Sequence, residues 1–147
     1  MTHNHQIHLA ILQQPYLDLI LSGEKTIESR FSRVRCKPYR AVQPGAQILL
    51  KESGGLVLGE FTVAKVKTYS SLTADIMAAI EQQYGKEICT ATDPEFWPTR
   101  EGCRYATLMW VSKPQRYSSP YPFPKKDMRP WVVLDSASGQ QNLFQEK

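Results

Sequence analysis

Gln14-Pro15-Tyr16-Leu17-Asp18-Leu19-Ile20-Leu21-Ser22-Gly23-Glu24-Lys25-Thr26-Ile27-Glu28-Ser29-Arg30 encodes a helix, its stop and the opening of a strand. Pro15 suits the first helical turn, where its missing N–H costs nothing. Tyr16, Leu17, Ile20 and Leu21 supply an apolar stripe, and Gly23 ends the helix in the left-handed conformation that glycine tolerates. Lys25 to Phe31 then reads as a strand on which Thr26, Glu28 and Arg30 share a face. Lys25 stands at its start, where its long stem curls towards the same mouth. An ammonium, a carboxylate and a guanidinium around one small volume can hold a polar planar group through paired hydrogen bonds and a charge contact. The same three charges could equally pin the helix-to-strand turn as a salt-bridged cluster.

Working outward, Ile7 to Leu12 is a short apolar run that predicts a strand. Ser32 to Pro44 is a basic loop, and Gln47 to Lys51 is a strand followed by a Ser53-Gly54-Gly55 hairpin turn. Leu56 to Tyr69 is a long β run bent at Gly59. Thr73 caps a helix over Ala74 to Tyr84, with Ile76, Met77, Ile80 and Tyr84 on one face and Gly85 as its stop. Residues 86–103 read as irregular, Arg104 to Val111 as a strand, Ser118 to Pro124 as a proline-rich loop, and Pro130 to Leu134 as a last strand. Five or six strands that do not alternate with helices as βαβ units predict an α+β mixed barrel capped by two main helices.

The chain of 147 residues fits one domain and can bury about 70% of its unfolded surface, so it needs no covalent staple. Residues 1–6 read as an N-terminal arm, 7–134 as the domain and 135–147 as a polar tail. No apolar window is long enough to span a membrane, and the histidine-bearing start is no secretory signal, so a cytoplasmic protein is expected. Cys36, Cys89 and Cys103 form no CxxC pair and read as free thiols. His3, His5 and His8 stand near a terminus that rarely orders itself around an ion, and no metal or other cofactor is expected. Charge placement is more informative. From Lys25 to Arg40 the chain carries six cations against the single acid Glu28, a local net of +5 that exceeds the +4 of the whole chain. A second basic cluster is Lys125, Lys126 and Arg129. Such segments beside aromatics suit a phosphate-bearing partner, although a merely solubilising face has the same composition.

Gly23-x-Lys25-x-x-Glu28-x-Arg30, preceded by Gln14-Pro15-Tyr16 and followed far downstream by Arg104-Tyr105-Ala106-Thr107-Leu108, resembles the signature of the ASCH domain, a branch of the PUA-like superfamily. The resemblance implies a small PUA-like β-barrel with a cleft for RNA or a modified nucleobase. Some members resemble enzymes: one bacterial subfamily removes the acyl group from N(4)-acetylcytidine and another member cleaves RNA, whereas a eukaryotic coactivator version is taken as a nucleic-acid-binding module. In the amidohydrolase subfamily a lysine matching Lys25 activates a threonine at the position held here by Glu28, assisted by a glutamate on the later helix. Glu28 is no hydroxyl nucleophile, so that mechanism does not carry over unchanged.

The leading expectation is therefore an amidohydrolase of N(4)-acylcytidine. Glu28 would take a proton from water, and Lys25 would stabilise the oxyanion or protonate the leaving amine. Thr26 is the nearest alternative hydroxyl, and Glu81 matches the family's helix glutamate by its rough place in the chain. Arg30 and Tyr16 are expected to bind substrate, and Trp97, beside Phe96, to act as a lid. Phe123 with Lys125 and Lys126 is expected to stack a base and hold a phosphate. The alternative is a non-catalytic RNA-binding module, or a ribonuclease, using the basic loop 30–40 and Lys125/Lys126. The expected partner is a modified nucleoside or RNA, with no membrane, and the chain is expected to be a monomer or weak dimer.

Overall fold

The computed structural model describes residues 6–124 and 129–134. Its elements run β1 (Ile7–Leu12), α1 (Tyr16–Ser22), β2 (Ile27–Ser32), β3 (Gln47–Glu52), β4 (Val57–Tyr69), α2 (Ala74–Ile88), a single 3-10 turn (Pro98–Arg100), β5 (Tyr105–Tyr121) and β6 (Trp131–Leu134). The six strands form one curled sheet in the order β2-β5-β4-β3-β1-β6. β1 and β3 run parallel, and every other pairing is antiparallel. The result is the α+β half-barrel with two helices that the sequence predicts. Among the described residues no helix is long and apolar enough to cross a membrane.

Alternation along β1 explains how the sheet buries both its faces. Ala10 and Leu12 point inward to a core of Leu17, Ile20, Ile48, Leu50, Phe61, Met109 and Trp131. Ile7 and Leu9 point the other way, against Leu49, Val57 and Tyr121. Curvature comes from three breaks in the β4–β5 register, between Val57 and Gly59, Glu60 and Thr62, and Val63 and Lys65, where an extra residue bends and twists the ladder. At the first of them a Cβ on Gly59 would collide with the Gln115 carbonyl oxygen and crowd Leu21. The backbone approach there requires glycine.

Two elements, α2 and β5, depart most from the sequence reading. α2 continues through Gly85 to Ile88, and Cys89, at φ 69°, takes the left-handed capping position. Gly85 keeps a helical φ because burying Ile88 against Ile27, Ile80, Phe96 and Leu108 rewards one more turn. Ile76, expected on the packed face of that helix, is exposed. β5 runs ten residues past its predicted end at Val111, through Pro114 and Pro120, to Tyr121. Its pairing with β2 stops at Trp110, so beyond that point it is an edge strand, where a missing proline N–H costs no ladder bond.

His8, read as part of the histidine-bearing start, lies wholly buried on β1. Its Nδ1 accepts from Trp131 Nε1 at 2.9 Å, which leaves the proton on Nε2 to donate to Gln6 Oε1 at 3.1 Å. Burial first, and the charge of Lys37 second, lower its pKa to about 4. The unfolded chain therefore binds a proton that the folded chain refuses between about pH 6.5 and 4. Stability is full above that window and falls as pH drops through it, by about 3 kcal/mol in all. Urea midpoints measured at pH 7.5, 6, 5 and 4 should show this decline, and His8→Gln should flatten it. An unchanged slope in the variant would assign the acid sensitivity to other groups.

Candidate active site

β2 is one end of the sheet and does not pair with β1, so a seam opens between them. Arg30 spans it, with Nη2 donating to the Ile11 carbonyl at 3.0 Å. Beside that strut lies a cleft of about 520 Å3, walled by the end of β1, the start of α1, Lys25, Glu28–Phe31 and the segment from Cys89 to Arg100. Its volume falls within the range of small-molecule sites, about 300–1,000 Å3.

The chain enters this cleft as the sequence dictates. Gly23, at φ 90°, closes α1, and the Lys25 N–H donates to the Leu19 carbonyl, turning the lysine stem inward. Lys25 is 2% exposed. Its Nζ donates to the Ile88 carbonyl at 2.8 Å, stands 3.6 Å from Glu28 Oε1 and lies 5.1 Å from the centre of the Tyr16 ring. Ile88 O is one of the last carbonyls of α2, which have no partner within the helix and carry its negative dipole end. A misjudged helix end thus supplies the ammonium's strongest contact. Burial lowers the Lys25 pKa below the ordinary lysine value, and Glu28 opposes that shift only in part. Glu28 in turn accepts from Arg30 Nε at 2.7 Å, and the Arg30 guanidinium lies 5.0 Å from the centre of the Trp131 ring. The three heads do converge.

Other expected residues lie elsewhere. Thr26 is exposed and outside the cleft lining. It precedes β2, and its N–H donates to Glu87 O while its carbonyl accepts from Val111 N, so the shared face with Glu28 and Arg30 does not extend back to it. Glu81 is exposed on α2 and lines a separate depression of about 880 Å3 between that helix and the 90–104 segment. Trp97 lines the same depression and is tied by Nε1–H to Thr90 Oγ1 at 3.1 Å, so it is no lid over the cleft. Phe96 is instead the buried ring in the cleft wall. Phe123 packs on the opposite face of the sheet with Ile7, Leu9 and Tyr121. Lys125, Lys126, His3, His5 and the 135–147 tail lie outside the described residues.

Two charged residues of the cleft have no counterpart in the sequence reading. Asp93 Oδ2 accepts from the Tyr16 hydroxyl at 2.7 Å; burial and that bond hold the phenol well above the ordinary tyrosine range. Arg100 lays its guanidinium 3.6 Å from the centre of the Phe96 ring. Both come from the stretch read as irregular, where no periodicity marks a position. Their only sequence signal is charge beside aromatics in Asp93-Pro94-Glu95-Phe96-Trp97-Pro98-Thr99-Arg100. Among the described residues no three His, Cys, Asp or Glu side chains gather as they would around a metal ion.

Comparison with known proteins places the fold. No curated protein sequence matches the chain. Among solved structures, the ASCH protein of Zymomonas mobilis is similar over 95% of this chain and 94% of its own, with a TM-score of 0.71 at 16% identity. A point variant of that protein aligns over 99% of both chains, with a TM-score of 0.72 at 17% identity. The N-terminal domain of Staphylothermus marinus McrB is similar over 96% of this chain and 94% of its own, with a TM-score of 0.58 at 12% identity. These likenesses establish the fold. The family model described as ASCH domain matches residues 11–120, a span that holds Gly23, Lys25, Glu28 and Arg30 as well as Asp93 and Arg100; the chain belongs to the ASCH domain family.

Proposed function

We propose that the cleft hydrolyses the amide of an N(4)-acylated cytosine nucleoside. The observation that carries this reading is a buried ammonium–carboxylate pair lining a ligand-sized cleft between aromatic walls. Tyr16 and Phe31 line the cleft beside Lys25 and Glu28 and offer apolar ring surface for a base. Glu28 takes a proton from the attacking water, whose oxygen bonds to the acyl carbon. Lys25 donates to the developing oxyanion, and the exocyclic amine leaves with a proton as the C–N bond breaks. The products are a carboxylate and the free cytosine amine. Water replaces the family's threonine in this scheme, consistent with Glu28 at that position and Thr26 outside the cleft. The resemblance to the acylcytidine-hydrolysing subfamily supports the choice of substrate. The test is release of cytidine from N(4)-acetylcytidine by the purified protein, followed by chromatography. Turnover above the uncatalysed rate is expected, and its absence would overturn the reading.

One observation favours a second reading, an RNA-binding module. Arg33, Arg35, Lys37 and Arg40 are all exposed on the loop after β2. Polymer binding through them would weaken steeply with salt, in proportion to the phosphates contacted. Salt-insensitive retention of RNA, or none, would remove this second reading.

A further inference from the structure

Arg100 is a cleft guanidinium whose Nε/Nη2 edge makes no hydrogen bond or ion pair among the described residues. Its Nη1 donates to the Phe96 carbonyl at 2.8 Å and to Thr99 Oγ1 at 3.1 Å. Among the described residues neither Nε nor Nη2 makes a hydrogen bond, and no carboxylate lies within 4 Å of the group. The cleft does hold two carboxylates whose charges reach Arg100, but each makes its hydrogen bonds elsewhere. Glu28 faces Arg30 and Lys25, and Asp93 accepts from the Tyr16 hydroxyl and from the Glu95 N–H. The Phe96 ring, 3.6 Å away, holds the guanidinium plane in place, and the two Nη1 bonds fix its rotation. The remaining Nε/Nη2 edge is the geometry that grips two oxygens of an anion at once.

From this geometry we infer that the cleft prefers a nucleotide to a bare nucleoside, with Arg100 binding its phosphomonoester. The inference rests on the nucleobase reading above and adds the substrate's charged group to it. With the base between the aromatic walls and the acyl end at Lys25 and Glu28, Arg100 lies on the wall formed by the 3-10 turn. We place the ribose phosphate there. The basic loop after β2 adds positive potential on the same side, since Arg33 Nη2 donates to the Glu101 carbonyl next to Arg100.

Calorimetric titration of the full chain with cytidine, cytidine 5′-monophosphate and cytidine 3′-monophosphate tests this independently of turnover. One of the two monophosphates should bind at least about tenfold more tightly than cytidine, the effect of a charge-assisted pair of hydrogen bonds. In Arg100→Met, which keeps the stem over Phe96, that ratio should collapse towards one. Arg100→Lys should restore part of it. Equal affinities for cytidine and both monophosphates in the wild-type protein would overturn the inference, as would an undiminished ratio in folded Arg100→Met. A protein that prefers a monophosphate yet releases no cytidine from N(4)-acetylcytidine would lose the hydrolase reading and keep this one. Turnover without that preference would do the reverse.

Discussion

Lys25→Met is expected to lower hydrolysis of N(4)-acetylcytidine by about 100- to 10,000-fold, the usual worth of a positioned acid–base group, with little loss of stability. The second half of that expectation comes from the surroundings of the ammonium. Removing one partner of a buried ion pair is costly when it strands the other, but Glu28 keeps Arg30 Nε at 2.7 Å. Methionine fills most of the lysine's volume, so the void that Lys25→Ala would leave, at about 2–5 kcal/mol for a large buried chain cut to alanine, does not form. The loss is one hydrogen bond to Ile88 O, about 1 kcal/mol, and the 3.6 Å ion pair with Glu28, offset by no longer burying a charge that its environment disfavours. The pH profile supplies a second check. If protonated Lys25 stabilises the oxyanion, kcat/KM falls as pH rises through its lowered pKa, so the alkaline limb begins below 10.5. Activity within tenfold of wild type in a folded Lys25→Met protein would exclude the residue from the chemistry.

What could be read in advance was whatever depends on local sequence. Gly23 must be glycine because it takes φ 90°, and the strand limits of β1 and β6 follow from short apolar runs bounded by turn residues. The meeting of Lys25, Glu28 and Arg30 was legible for the same reason: three side chains within six residues of one turn and one strand need no long-range information. Gly85 shows where local signals fail. A glycine stops a helix only if something gains from stopping it, and here the burial of Ile88 argues for another turn. Arg100 and Asp93 reach the cleft because the segment after α2 folds back over β2, a decision made by packing of Phe96 and Trp97 on Phe31. Glu81 lies outside the cleft for the converse reason. It stands on α2, but its turn of that helix faces the other depression.

Trp131→Ala is expected to be the most damaging single change to the fold. Among the described residues Trp131 is the largest of the fully buried side chains, and it closes the core from β6, the edge strand beside β1. Truncating a buried aromatic to alanine costs about 3–5 kcal/mol, a large part of a typical stability of about 5–15 kcal/mol. Two further losses follow from its contacts. His8 Nδ1 loses its donor deep in the core, and Arg30 loses the ring that backs its guanidinium. Melting should fall by about 10–15 °C, given about 2–4 °C per kcal/mol at a slightly larger size. Trp131→Phe, which keeps most of the packing and removes only the N–H, should fall between that value and the wild type. Because Arg30 positions Glu28 and bridges the seam to Ile11, the Phe variant should also retain more of the cleft's affinity for cytidine than the Ala variant does below its melting range. A Trp131→Ala protein melting within a few degrees of wild type would mean that β6 does not close the core as its burial implies.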